Sequence, residues 1–144
     1  MIGIDTNLLV YSHRRESEWH AKARALIKGL AEGADSWAIP WPCIHEFLAI
    51  VTNARIYKPA TPVEVALNQV QAWLGSPSLT VIGDTPRHWD ELREIVAAGR
   101  IAGAAVHDAR IAAICRAHGV REFWTADRDF SRIRSFGIRN PLLT

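Results

Sequence analysis

Residues 123–133 read FWTADRDFSRI: two large aromatics run straight into Asp127, Arg128 and Asp129, with a further arginine at Arg132. The segment VREFWTA (120–126) has the aromatic and β-branched character of a buried strand. Asp is disfavoured within strands, and a carboxylate is almost never fully buried without a partner. Either the strand ends in a solvated turn, or its carboxylates have a cation to hold. What the rest of the chain brings to the same place decides between them.

Working outward, the same kind of segment recurs. MIGI (1–4) is a short apolar start that predicts a first strand, followed from about Glu18 to Gly33 by Trp19, Ala23, Leu26, Ile27 and Leu30 at helical spacing. SWAIP (36–40) predicts a second strand, and PCIHEFLAIVTNARI (42–56) a helix with Pro42 in its first turn, apolar nearly all round and therefore buried. TPVEVALNQVQAWLG (61–75) carries a capping box, Thr61 as N-cap and Glu64 reaching back, and closes on Gly75. LTVIG (79–83) predicts another strand, DTPRHWDELREIVAAG (84–99) another capped helix, and AAVHDARIAAICRAHG (104–119) a last helix ending at Gly119. NARIYKPAT (53–61) is the expected mobile connection. Strands alternating with helices predict an α/β fold with a mostly parallel sheet, and in such folds sites form at the carboxyl ends of the strands.

Composition fits one domain spanning 1–144. The 144 residues are 49% hydrophobic and 22% charged, enough for one well-packed core and too short for two. No stretch approaches the roughly 20 apolar residues needed to span a bilayer, and Asp5 interrupts the start where a signal peptide would be apolar, so a cytoplasmic protein without membrane contact is expected. Cys43 and Cys115 sit in apolar helical patterns without metal-ligand spacing, which makes them reduced packing residues. A formal net charge of +2 leaves the partner open, although the excess of arginine over lysine suits phosphate recognition.

Four acids stand out by position. Asp5 ends the first strand and Asp127 the strand at 120–126, which puts both at the functional edge of a parallel sheet. Glu46 is the sole acid of its helix and shares a face with Cys43 and Ile50; Asp108 shares one with Ile111, Ala112 and Cys115. Taken singly, each has an ordinary reading: Asp5 as a turn or cap residue, Asp108 as a complement to the helix dipole, Glu46 as a core acid paired with an arginine, Asp129 as a turn residue. Together, so many like charges at one edge would repel one another unless divalent cations neutralised them.

With DTNLLVY at 5–11, Glu46 on a mid-chain helix, HDARIAA at 107–113 and TADRDF at 125–130, the chain resembles the PIN domain in its form as the toxin of VapBC toxin–antitoxin pairs. The resemblance covers essentially the whole chain. It implies a Rossmann-like three-layer α/β/α sandwich and an endoribonuclease dependent on Mg²⁺ or Mn²⁺, cutting an RNA such as tRNA or rRNA to inhibit translation and growth. It implies that Asp5, Glu46, Asp108 and Asp127 form the catalytic set, with Asp129 as a further metal ligand, and that Thr6, Asn7 and Thr125 support the acids. It also implies a VapB-like antitoxin that covers the pocket, and a homodimer, for which Trp19 and the segment from Val63 to Trp73 are candidate surfaces.

Carboxylate-held Mg²⁺ would lower the pKa of a bound water and take up charge on a scissile phosphate, so no nucleophilic side chain is required. Substrate binding would fall to a basic rim, for which Arg128, Arg132, Arg14 and Arg15 are candidates, with Arg134 and Arg139 beside them; surface arginines that merely solvate are the plain alternative. Among the tryptophans, Trp73, Trp89 and Trp124 fall in core patterns, which leaves Trp19 and Trp41 to stack on bases. His45 and His107 adjoin Glu46 and Asp108, but neighbouring helical residues point about 100° apart, so the histidines turn away if the acids face the pocket. Two competing readings remain: a PIN-like nuclease of RNA processing or DNA cleavage, and a non-catalytic domain that binds RNA or protein. The intact acid set counts against the latter, and the lack of an appended RNA-binding module against the former.

Overall fold

In the computed structural model, residues 1–134 and 136–143 are described. Five strands, β1 (Ile2–Ile4), β2 (Trp37–Pro40), β3 (Leu79–Ile82), β4 (Glu122–Trp124) and β5 (Gly137–Arg139), form one sheet in the order β3-β2-β1-β4-β5. Every pairing is parallel. The sequence reading had no β5: it is three residues at the sheet edge with only Ile138 half-buried, too little pattern to register as a strand.

The helices are α1 (Thr6–His13), α2 (His20–Glu32), α3 (Trp41–Val51), α4 (Val63–Leu74), α5 (His88–Gly99) and α6 (Val106–Ala117). Moving from β1 to β2 to β3 steps one way across the sheet, and the connection to β4 jumps back past β1. Because parallel crossovers are right-handed, α1–α4 cover one face and α5–α6 the other, the expected three-layer α/β/α arrangement. The reversal lies between β1 and β4. In open α/β sheets this switch point leaves a crevice at the carboxyl ends of the two strands, where Asp5 and Asp127 stand.

Packing fixes that crevice. Gly3 is paired with Phe123, and a Cβ at Gly3 would lie 2.9 Å from Phe123 Cδ1 and 3.1 Å from Val120 Cγ1, so β1 and its neighbour meet at a distance only glycine allows. Phe123 in turn packs against Phe130 at 5.1 Å and Phe136 at 5.9 Å between ring centroids. Phe130 is fully buried and so anchors the segment that carries Asp127 and Asp129.

Several local expectations change. The helix α1 was not anticipated: Leu8, Leu9 and Val10 are all buried, so it shows no amphipathic period, and Asp5 starts it by accepting from Thr6 N. The capping box at Thr61 does not form; α4 begins at Val63 without a side-chain cap. The Thr61 hydroxyl is instead engaged by His13 Nε2 at 3.1 Å and Arg14 Nη1 at 3.0 Å. The helix α5 likewise starts at His88 without a side-chain cap. α3 ends at Val51, and one side of it is open to solvent, contrary to the expected all-round burial. The 53–61 connection is tied down by Thr61 N to Val51 O at 2.8 Å, Arg14 Nη2 to Pro59 O at 3.0 Å and the Arg14 guanidinium over Tyr57 at 4.2 Å.

Candidate active site

Asp5 emerges from β1 with its N–H donated to Trp124 O at 3.0 Å, locking it beside β4. Asp5 is 4% exposed. Oδ1 accepts from Thr6 N at 2.8 Å and faces the Cys43 thiol at 3.7 Å; Oδ2 accepts from Thr125 Oγ1 at 2.7 Å and Asn7 Nδ2 at 3.5 Å. The Thr125 hydroxyl also accepts from Asp127 N at 2.9 Å and Asn7 Nδ2 at 3.3 Å, while Asn7 Oδ1 accepts from Ala126 N at 3.2 Å. Asn7 and Thr125 thus stitch the start of α1 to the loop after β4.

The other acids surround this network. Glu46 is exposed on α3, and its Oε2 accepts from Thr6 Oγ1 at 2.8 Å, so its partner is a hydroxyl and not a core arginine. Asp108 lies half-buried in the first turn of α6. Asp127 Oδ1 accepts from Asp129 N at 2.8 Å and caps a short 3₁₀ turn, Arg128–Arg132. Asp129 is exposed.

The electrostatics show that these groups feel one another. Burial pushes the Asp5 carboxyl up from 3.8 to about 6 against the lowering effect of its hydrogen bonds, with Glu46 and Asp108 adding to the rise. Asp108 is pushed up to about 6 by burial first, then by the charges of Asp127, Asp129 and Glu46. No ion pair between any of these five acids and a lysine or arginine is present among the described residues. Beneath them, Cys43 and Cys115 are buried free thiols, raised by desolvation and the Asp5 charge.

Outside this cluster the candidates separate. Arg14 is committed to Glu16, Thr61, Pro59 and Tyr57, which takes it out of the rim. Arg15 and Arg128 are exposed. Arg132 and Arg134 line a cavity of about 560 Å³ with Glu94, Ile95, Gly99 and Arg116. Arg116 stands eight residues along α6 from Asp108, roughly 12 Å by helical rise, so this cavity is not the acid crevice. Arg116 itself is held by Glu91 and by Glu94 at 2.9 Å. Trp73 and Trp124 are buried as expected; Trp89, expected in the core, is 67% exposed, and Trp19, expected to be free, packs partly against the core. His45 turns from Glu46 toward Trp41, with ring centroids 6.2 Å apart.

Among the described residues, no group of three or more His, Cys, Asp or Glu side chains is already closed around a cation position. Both Asp5 oxygens are satisfied by protein donors, and Asp108 feels the charges of Asp127, Asp129 and Glu46. The chemistry of the set is nevertheless that of a hard cation: all oxygen donors, with the neighbouring histidine turned away.

Comparison with known proteins bears on the family and the fold. The sequence pattern of the PIN domain matches residues 2–135. The chain is similar to ribonuclease VapC43 of Mycobacterium tuberculosis strain ATCC 25618 / H37Rv, 31% identical over 142 residues covering 99% of this chain and 96% of the relative. It is similar to ribonuclease VapC48 of the same strain, 28% identical over 137 residues covering 95% and 94%. In fold it matches VapBC2 from Rickettsia felis bound to a DNA fragment from its promoter, with a TM-score of 0.71, 19% identity and 97% and 98% of the two chains covered. It also matches Mycobacterium tuberculosis VapC20, described as a Sarcin-Ricin loop cleaving toxin, with a TM-score of 0.66, 18% identity and 91% and 93% covered. No helix among the described residues is long and apolar enough to cross a membrane. With the pattern running from residue 2 to residue 135 and a relative of matching length at 31% identity, the chain belongs to the PIN domain family, among its VapC ribonucleases.

Proposed function

We propose that the chain is a single-domain, divalent-metal-dependent endoribonuclease acting in the cytoplasm as the toxin of a VapBC-type pair, with RNA such as tRNA or rRNA as its substrate. The observation that carries the reading is the buried Asp5 at the switch point, pushed to about 6 within electrostatic reach of Glu46 and Asp108. A charge this costly to bury is retained where something must be bound.

Asp5, Asp108, Asp127 and Asp129 would hold Mg²⁺ or Mn²⁺, with Glu46 completing the acid set. The ion supplies a water of lowered pKa and positive charge for the phosphate oxygens. The protein's own part is orientation. Thr125 donates to Asp5 Oδ2, which favours its ionised form against burial and aims it, while its second contact, from Asp127 N, sets the neighbouring acid in register. Thr6 Oγ1 likewise donates to Glu46 Oε2 and orients it. The exposed Arg15 and Arg128 suit the phosphate backbone. A VapB-like antitoxin is the protein partner, supported by the VapBC complexes that share the fold. A homodimer is supported by the exposed Val63, Leu67 and Leu74 of α4 together with Ile56.

Total cellular RNA incubated with wild type and Asp5→Asn, in Mg²⁺ or Mn²⁺ and in EDTA, with new 5′ ends mapped, tests the reading. Metal-dependent cuts at a few sites, absent in the variant, are expected. Equal cutting by folded Asp5→Asn would overturn it.

A further inference from the structure

Trp41 is 43% exposed although it follows a fully buried strand directly and opens α3. It is not a loose surface ring. Pro40 pairs with Ile82, so Trp41 and Gly83 are the first residues beyond the paired ends of β2 and β3. A Cβ on Gly83 would stand 3.3 Å from Trp41 Cδ1, so the indole rests against that backbone. The Gly83 carbonyl is in turn 2.9 Å from His118 Nε2, which pins the support. One turn along α3, the His45 ring lies at 6.2 Å and 32° to the indole.

We propose that Trp41, flanked by His45, is a stacking platform for a nucleobase of the RNA next to the cleaved phosphate. This rests on the ribonuclease reading above and adds a substrate contact to it. Three features of the arrangement point to a base. The platform stands on the same carboxyl edge as Asp5, at the end of the neighbouring strand β2, and Glu46 follows on the same helix about 7.5 Å further along its axis. The indole is 43% exposed while its Cδ1 edge is braced on Gly83, and it is large and rigid, so little entropy is lost when a base settles on it. The two rings present faces without a fixed pattern of hydrogen-bond groups, so they suit any base and would hold the strand without choosing its sequence. The arginines grip phosphates; the aromatic pair grips what phosphate contacts cannot, the base.

The test compares two fluorescein-labelled probes of equal charge, each of about 12 nucleotides: oligoadenylate RNA and the same ribose-phosphate chain without bases. Anisotropy is read for wild type, Trp41→Ala, Trp41→Phe and Asp5→Asn. Wild type should bind oligoadenylate tighter than the abasic chain by roughly fivefold to a hundredfold, the range of one stacked base. In Trp41→Ala the two affinities should converge, while Trp41→Phe keeps most of the difference and both Trp41 variants melt as wild type does. Asp5→Asn should lose cleavage of total RNA yet keep the base-dependent difference, which separates failure of the nuclease reading from failure of this one. The proposal is overturned if Trp41→Ala preserves the oligoadenylate preference, or if its only effects are on oligomeric state or on binding of the antitoxin.

Discussion

The two ends of α1 carry polar clusters built from similar residues, and they solve the problem of charge in opposite ways. At the C-terminal end, His13 meets Gln69 Oε1 and Thr61 Oγ1, each at 3.1 Å, while Arg14 reaches Thr61, Pro59 O and Glu16 and lies over Tyr57. Every charge there has its counterpart within the cluster. At the N-terminal end, Asp5, Glu46, Asp108, Asp127 and Asp129 press on one another with no cationic side chain paired to them among the described residues. A satisfied network holds a fold together; a network left with surplus charge is waiting for something to arrive.

The sharpest way to break that contrast is to neutralise the surplus. Asp5→Asn or Asp108→Asn should lower RNA cleavage on the order of 10²-fold or more, with a melting temperature no lower than wild type. A variant that unfolds would place Asp5 among the structural acids instead.

Next in size is the pH dependence of stability without metal. The folded-state value of Asp5, about 6, lies above its ordinary 3.8, so the folded protein holds that proton more tightly than the unfolded chain does. Its contribution is therefore fully present below about pH 4 and is lost as pH rises through about 6, a change of about 3 kcal/mol for a shift of this size. Chemical denaturation from pH 4 to 7.5 should show wild type losing stability relative to Asp5→Asn as pH rises. Added Mg²⁺ or Mn²⁺ should restore it most at the high end. A difference between the two proteins that is flat with pH would contradict the burial argument.

Smaller effects follow at the hydroxyls. Thr125→Val removes the donor to Asp5 Oδ2 and the acceptor for Asp127 N, and should cost roughly 10- to 100-fold in metal affinity read by titration calorimetry, with Thr125→Ser close to wild type. At the other end, Thr61→Val strips the shared partner from His13 and Arg14 and should lower stability by about 1–2 kcal/mol in urea, while cleavage stays within about twofold of wild type. A large activity loss from Thr61→Val would mean that the two ends of α1 are coupled.

Much of this architecture can be read from local pattern. Short apolar runs at 1–4, 36–40, 79–83 and 120–126 separated by helical periods are sufficient for an α/β alternation, and an Asp just past two of those runs marks the edge where ligands bind. α1 escaped because a helix buried on several sides has no amphipathic period, and β5 because three residues at an edge carry almost no signal. The cap predicted at Thr61 failed for another reason: its hydroxyl had better partners 47 and 48 residues away, and local propensity yields to such contacts.

The sequence by itself determined four of the five strands, most of the helices and which acids stand as candidates, because those depend on residue type and spacing over a few turns of chain. Only the tertiary structure decided which charges are compensated. Asp5 is held by Thr125 from 120 residues away and Glu46 by Thr6 from 40 away, while Arg14 is taken up by the 53–61 connection instead of the rim. Likewise it turned Trp89 out to solvent and braced Trp41 at the sheet edge. Partners for a charge or a ring are chosen by proximity in space, and in a parallel sheet with crossovers the residues that meet at one edge are those the chain keeps farthest apart.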